Sequence, residues 1–129
     1  MDTTKGYIRH GAGAVRAYLY GNADLPEFVR QVFGGEEVER ADYDDQSAHV
    51  EMRIADSVLV IEAGVTHETA TRASVYVYVP DVDAAYQRAL QLGATSVAEP
   101  ADKPYGDRNA GVRDSFGNTW WIGTHLSDR

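Results

Sequence analysis

Residues 104–125 read PYGDRNAGVRDSFGNTWWIGTH, and the rest of the chain is organised around them. Asp114 to Asn118 has the chemistry of a tight turn. An aspartate side chain can accept from the backbone N–H groups ahead of it, Gly117 supplies a positive φ, and Asn118 tolerates one. Thr119, Trp120, Trp121 and Ile122 then favour a pleated, half-buried strand. The stretch predicts a hairpin with strands near residues 108–114 and 119–124.

Upstream, one grammar is written twice. In the first half a strand candidate, VRAYLY (15–20), precedes a helix signalled by Asp24 as N-cap, Glu27 completing a capping box, and Gly34–Gly35 as a stop. Its apolar residues, Leu25, Phe28, Val29, Val32 and Phe33, form one helical face. The second half has the strand ASVYVYV (73–79), a cap at Asp81, the face Val82, Ala85, Tyr86, Ala89 and Leu90, and a stop at Gly93. Each apolar position lies 57 residues after its counterpart. Strand signals follow each helix: an acidic one at 37–41, the alternating 48–54, and 57–62 in the first half; 95–99 and the hairpin in the second. The chain therefore reads βαβββ–βαβββ, an internal duplication. Modules at 13–63 and 73–125 make a single domain over 13–129. Residues 1–12 are an N-terminal extension with at most a short strand at Tyr7–Arg9.

Composition narrows the function. Twelve basic against twenty acidic residues leave a net charge of −8, which argues against nucleic acid and anionic membrane surfaces. The chain has no cysteine, so thiol metal sites and disulfides are excluded. The N-terminus lacks a signal peptide's apolar core and the longest aliphatic run is Val58–Ile61, so the expectation is a cytoplasmic protein.

The pattern GDR…GV-D-FGN-WWI-TH resembles the C-terminal hairpin of the vicinal-oxygen-chelate superfamily of glyoxalases, extradiol dioxygenases and bleomycin-resistance proteins. HVEMRIADS (49–57) is similar to the HAELRIGDS of its PhnB-like branch. Ser115 departs from the family's usual proline. The resemblance implies an α+β fold in which two βαβββ modules form one curved, mixed and mostly antiparallel sheet, with helices outside and a concave cleft. It also implies four metal-ligand positions, which fall on Ala17, Glu62, Ser74 and Trp121. Ala and Trp offer a metal no lone pair and Ser is a poor ligand, so the expectation is no metal and no cofactor.

With those four residues facing the cleft, strand alternation adds Leu19, Tyr76 and Tyr78. This aromatic lining suits a flat or amphipathic ligand, with Glu62 available to a cationic or hydroxyl group. Burial is expected to raise the pKa of Glu62. His49 shares its strand face with Glu51 and Arg53. Arg108 either pairs with Asp107 or meets an anion at the rim. Two functions follow: a metal-free module binding a small organic molecule, or an enzyme using Glu62 as base or an irregular metal site of Glu62, His49 and Glu51. A homodimer closing the cleft is expected.

Overall fold

The computed structural model describes residues 6–127. The first module comprises β1 (Tyr18–Gly21), α1 (Leu25–Phe33), β2 (Glu36–Asp42), β3 (Ala48–Ile54) and β4 (Ser57–Ala63). The second comprises β5 (Ser74–Tyr78), α2 (Val82–Gln91), β6 (Thr95–Asp102), β7 (Asp107–Arg113) and β8 (Thr119–His125). Each module builds a four-stranded mixed sheet, ordered β1-β4-β3-β2 and β5-β8-β7-β6. The first strand of each runs parallel to the last, and the other pairs are antiparallel. The α+β class and the two βαβββ modules stand as the sequence implies. No ladder joins the two sheets among the described residues, so the curved surface is two halves rather than one continuous sheet.

The two helix-side faces share one core. Phe28 and Phe33 of α1 pack against Trp120 of β8, with ring centroids 6.1 and 5.1 Å apart. The Arg88 guanidinium of α2 donates to the carbonyls of Gln31 and Val32 at the end of α1. Leu19, Ile61, Val77, Ala110 and Ile122 complete this interior. Both sheets therefore turn their other face outward.

The turn at 114–118 joins the modules. One Asp114 oxygen accepts from the backbone N–H groups of Phe116, Gly117 and Asn118, each at 3.0 Å. The other accepts from Asn118 Nδ2 at 3.0 Å and Trp120 Nε1 at 2.9 Å. Gly117 has φ 104°. Asn118 has no positive φ; it is fully buried, and its side chain accepts from Ala73 N–H and donates to the Tyr20 carbonyl, both at 2.8 Å.

Three local expectations need correction. Residues Arg9–Gly11 form a 3-10 turn in place of a strand at Tyr7–Arg9, with His10 at φ 65°. The strand expected from Val15 begins at Tyr18, because Arg16 curls back to the carbonyls of Gly13 and Ala12. Asp81 caps α2 by accepting from Ala84 N–H at 3.1 Å, whereas Asp24 makes no such bond. Asp24 is already helical (φ −85°, ψ −2°) where Asp81 is extended (φ −140°, ψ 99°), and an N-cap side chain reaches the free N–H groups from the extended conformation. Glu27 turns instead to Arg30 and Gln31.

Asp114→Ala takes the acceptor from the Phe116 and Asn118 N–H groups, the Asn118 amide and the Trp120 indole in a partly buried site, while Gly117 N–H keeps the Asp114 carbonyl at 3.0 Å. The expected loss is about 3 kcal/mol, or roughly 10 °C in melting temperature for a domain of this size. Thermal unfolding followed by circular dichroism measures it; a loss below about 1 kcal/mol would mean that water replaces the carboxylate without cost.

Candidate functional site

The outward face of the first sheet carries a polar chain assembled from four strands and two loops. On β3, His49 and Glu51 point to the same side, and His49 stands opposite Glu62 of β4 in the antiparallel register. The His49 ring joins the two carboxylates: Nδ1 lies 2.7 Å from Glu62 Oε1 and Nε2 2.9 Å from Glu51 Oε2. Arg16, just before β1, donates to Glu51 Oε1 at 3.0 Å. His10 Nε2 lies 3.5 Å from the same oxygen, and Glu39 of β2 pairs with Arg9 at 3.2 Å. The N-terminal stretch thus packs onto the sheet through Arg9, His10 and Arg16.

Glu62 is 5% exposed and receives three donors on one oxygen. Tyr18 Oη at 3.0 Å, Tyr43 Oη at 3.2 Å and His49 all converge on Oε1. No donor among the described residues reaches Oε2. Glu62 lines an open pocket of about 630 Å³ whose walls are Tyr18, Tyr20, Tyr43 and the β4–β5 linker through His67.

The electrostatics follow from these contacts. A neutral imidazole has one N–H, yet both His49 nitrogens face carboxylate oxygens, so the geometry calls for imidazolium. Hydrogen bonds to Glu51 and Glu62 raise its pKa against the opposing effect of burial. Burial alone would raise Glu51 and Glu62, but His49 and the other donors outweigh it and both carboxyls lie below their ordinary range. The expectation of a raised Glu62 pKa is therefore corrected, because burial brought the donors with it. Desolvation, then the Glu62 hydrogen bond, pushes Tyr18 up to about 12.

Leu19 is a second correction: it is 0% exposed and lies in the core with Ala17 packed against that core, so neither faces the pocket. The helix starts, Leu25 and Val82, are 57 residues apart, but the outward pairs Tyr18/Tyr20 and Tyr76/Tyr78 are 58 apart. The strand-to-helix connection is one residue longer in the first module. Carrying the helical offset back into β1 inverts its faces, since strand side chains alternate. Tyr18 and Tyr20 were missed for that reason, and Tyr43 because it follows β2 in a turn.

Tyr76, Tyr78 and Trp121 lie on the second sheet's outward face and do not line the Glu62 pocket. Tyr76 and Tyr78 donate to Asp107 Oδ2 at 2.8 and 2.9 Å, and His125 Nδ1 lies 3.2 Å from Oδ1. The Tyr76 ring lies over Gly123 and the Trp121 ring over Gly111, where a Cβ would collide. Asp107, absent from the sequence-derived site, anchors that face; the Tyr76 hydrogen bond first, then Tyr78 and His125, hold its carboxyl below the ordinary range against burial. Arg108 pairs with neither Asp107 nor the rim. It forms a fork with Asp83 of α2 at 2.9 and 3.0 Å and reaches Asp102 at 3.0 Å, because successive strand residues face opposite sides.

A divalent metal does not fit the four implied positions. Ala17 faces the core, Ser74 and Trp121 lie on the second sheet, and Glu62 Oε1 is filled by three donors. Among the described residues no three His, Cys, Asp or Glu side chains are placed to hold a metal ion.

Comparisons with known proteins agree with this architecture. Residues 24–122 match the model of the Glyoxalase/Bleomycin resistance protein/Dioxygenase superfamily. An uncharacterised protein of Mycobacterium bovis is 45% identical over 53 residues, covering 41% of this chain and 35% of that one. The match thus spans about a third of that relative's length. TioX from Micromonospora sp. ML1 superposes with TM-score 0.67 at 24% identity, covering 88% of this chain and 100% of its own. The PhnB protein of Bacillus cereus superposes with TM-score 0.66 at 16% identity, covering 86% and 98%. At such identities these structures carry the fold. No helix among the described residues is long and apolar enough to cross a membrane.

The cluster has a pH signature. His49, with its pKa raised above 6.5 in the fold, binds its proton more tightly folded than unfolded. Its stabilisation is complete below the ordinary imidazole range and is lost as pH rises through the folded value. Glu51 and Glu62, lowered, contribute fully above the ordinary carboxylate range and lose that contribution as pH falls through their folded values. Urea midpoints between about pH 5 and about pH 9 should therefore fall on the alkaline side in the wild type and stay flatter in His49→Gln. Parallel profiles would show that His49 is not the titrating group.

Proposed function

Because the chain belongs to the glyoxalase/bleomycin resistance protein/dioxygenase superfamily, we propose that it is a metal-free binding protein for a small organic molecule with an aromatic or amphipathic body. The molecule occupies the pocket walled by Tyr18, Tyr20 and Tyr43. One observation carries this reading: three donors fill Glu62 Oε1, while Oε2 is left without a donor among the described residues on a side chain that lines the pocket. An aromatic-walled cavity with one placed polar group is how small-molecule sites are built. The enzyme reading, a lyase, isomerase or dioxygenase, has less support. A carboxylate held below its ordinary pKa is a weak general base, and both His49 nitrogens are occupied.

We place the chain in the PhnB-like branch on the strength of HVEMRIADS and the C-terminal hairpin, and in the cytoplasm on its acidic, cysteine-free composition. We further propose a homodimer. Both sheets turn outward faces bearing half-exposed aromatic rings, among them Tyr18 and Tyr78, and a second copy would cover them.

Two measurements bear on this. A metal held at one hundred times its dissociation constant adds about 2.7 kcal/mol of stability, roughly 5–15 °C here. Zinc, nickel, manganese and iron should each shift the melting temperature by less than about 2 °C, whereas compounds from an aromatic, amphipathic panel should raise it in the wild type and not in Glu62→Gln. Metal-dependent stabilisation lost on chelation would overturn the metal-free reading. Light scattering should give about twice the 14.2 kDa chain mass; a single species at the chain mass would remove the dimer.

A further inference from the structure

The geometry points to a monovalent organic cation, a substituted amine or quaternary ammonium, as the occupant of this pocket, its charge against Glu62 Oε2 and its body among the tyrosine rings. The inference rests on the organic-ligand reading above and narrows it to one chemical class.

Charge inventory comes first. The pocket lining includes the acids Glu62 and Asp44 and no lysine or arginine. Behind it Arg16, Glu51, His49 and Glu62 alternate in sign, each in contact with the next. His49 satisfies Glu62 through Oε1 alone, which leaves this last carboxylate of the series lining the cavity with one oxygen that no described donor reaches. An anion entering there meets two acids and no counter-charge. The whole chain, at −8, adds a field of the same sign.

The donor inventory favours a cation over a neutral polyol. Such a ligand needs hydroxyl and amide partners around the wall, but the Tyr18 and Tyr43 hydroxyls are committed to Glu62 and the Ser47 hydroxyl to Asp44, which leaves only those of Tyr20 and Thr66 among the lining hydroxyls. His67 Nδ1 is taken up by Thr69, whose backbone N–H donates at 3.1 Å. What the tyrosines present is ring surface: Tyr18 and Tyr20 have centroids 5.8 Å apart and tilted by 56°, and Tyr20 stands 6.1 Å from the His67 ring. Electron-rich ring faces around a cation are an established means of holding alkylated ammonium groups. Denticity separates the cations. A guanidinium fork or a divalent metal gains most from two carboxylate oxygens, and Glu62 has only one to give. A single compact charge surrounded by methyl or methylene groups uses that oxygen and the rings together.

Isothermal titration and amide-shift mapping with three probes test this: benzyltrimethylammonium, its uncharged carbon isostere neopentylbenzene, and benzylguanidinium. Benzyltrimethylammonium should bind at least about tenfold more tightly than the isostere, weaken with added salt, and shift the amides of Glu62 to Thr66. Glu62→Gln should lose at least about tenfold. Tyr20→Ala, which breaks no hydrogen bond to Glu62, should weaken the cation more than the isostere, so the result does not hang on one variant folding. Equal binding of cation and isostere would overturn the cation class and leave an organic-ligand pocket standing. Tighter binding of benzylguanidinium would overturn the single-oxygen argument. No binding of any probe at about ten millimolar, a dissociation free energy weaker than roughly 3 kcal/mol, would overturn the pocket reading itself along with this one.

Discussion

Everything else in this fold is hung on the Asp114 carboxylate and its neighbour Asn118. Five donors from the turn and from Trp120 converge on the two Asp114 oxygens. Anchoring the Trp120 indole fixes the ring that fills the space between α1 and β8. Asn118 then reaches to Tyr20 at the end of β1 and to Ala73 at the start of β5. One turn, anchored by the buried Asn118, thus sets how the two modules sit, and with that the side each sheet shows to solvent. Such polar networks pay off only when every member is satisfied, and here the turn amides, the Asn118 side chain and the Trp120 indole each find an acceptor.

The duplicated modules use their outward faces differently. In the second, Asp107 has both oxygens engaged by Tyr76, Tyr78 and His125, and rings lie over glycines at 111 and 123, so that the face is filled. In the first, a carboxylate with a comparable set of two tyrosines and a histidine keeps one oxygen open above a cavity. Two buried acids, Glu51 and Glu62, on one sheet face would be costly without compensation. The alternation of Arg16, Glu51, His49 and Glu62 supplies it, and the same alternation keeps Glu62 ionised.

Chain pattern alone determined the fold class, the duplication, both helices and the final hairpin. The reason is local: helical periodicity, glycine stops and the Asp–Gly–Asn turn each act over a few residues, and they agree with one another. The absence of effective metal donors at Ala17, Ser74 and Trp121 was legible in the same way, since ligand chemistry belongs to the residue type. His49 and Glu62 were also singled out from the sequence, together only as ligands of an irregular metal site and not as a hydrogen-bonded pair. Their contact at 2.7 Å depends on the β3–β4 register, which a list of residues does not contain.

Tertiary structure alone decided which residues share a pocket. One extra residue between β1 and α1 exchanged Leu19 for Tyr18 and Tyr20, a reversal that helix spacing cannot reveal because a strand inverts with every single step. Packing of α1 and α2 into a shared core sent Tyr76, Tyr78 and Trp121 to a different surface from Glu62, and Arg108 to a fork with Asp83. The pKa of Glu62 moved opposite to the burial argument because its donors, Tyr18, Tyr43 and His49, come from 44, 19 and 13 residues away. Burial of a carboxyl can be guessed from sequence; which hydrogen bonds accompany it is settled only when distant segments meet.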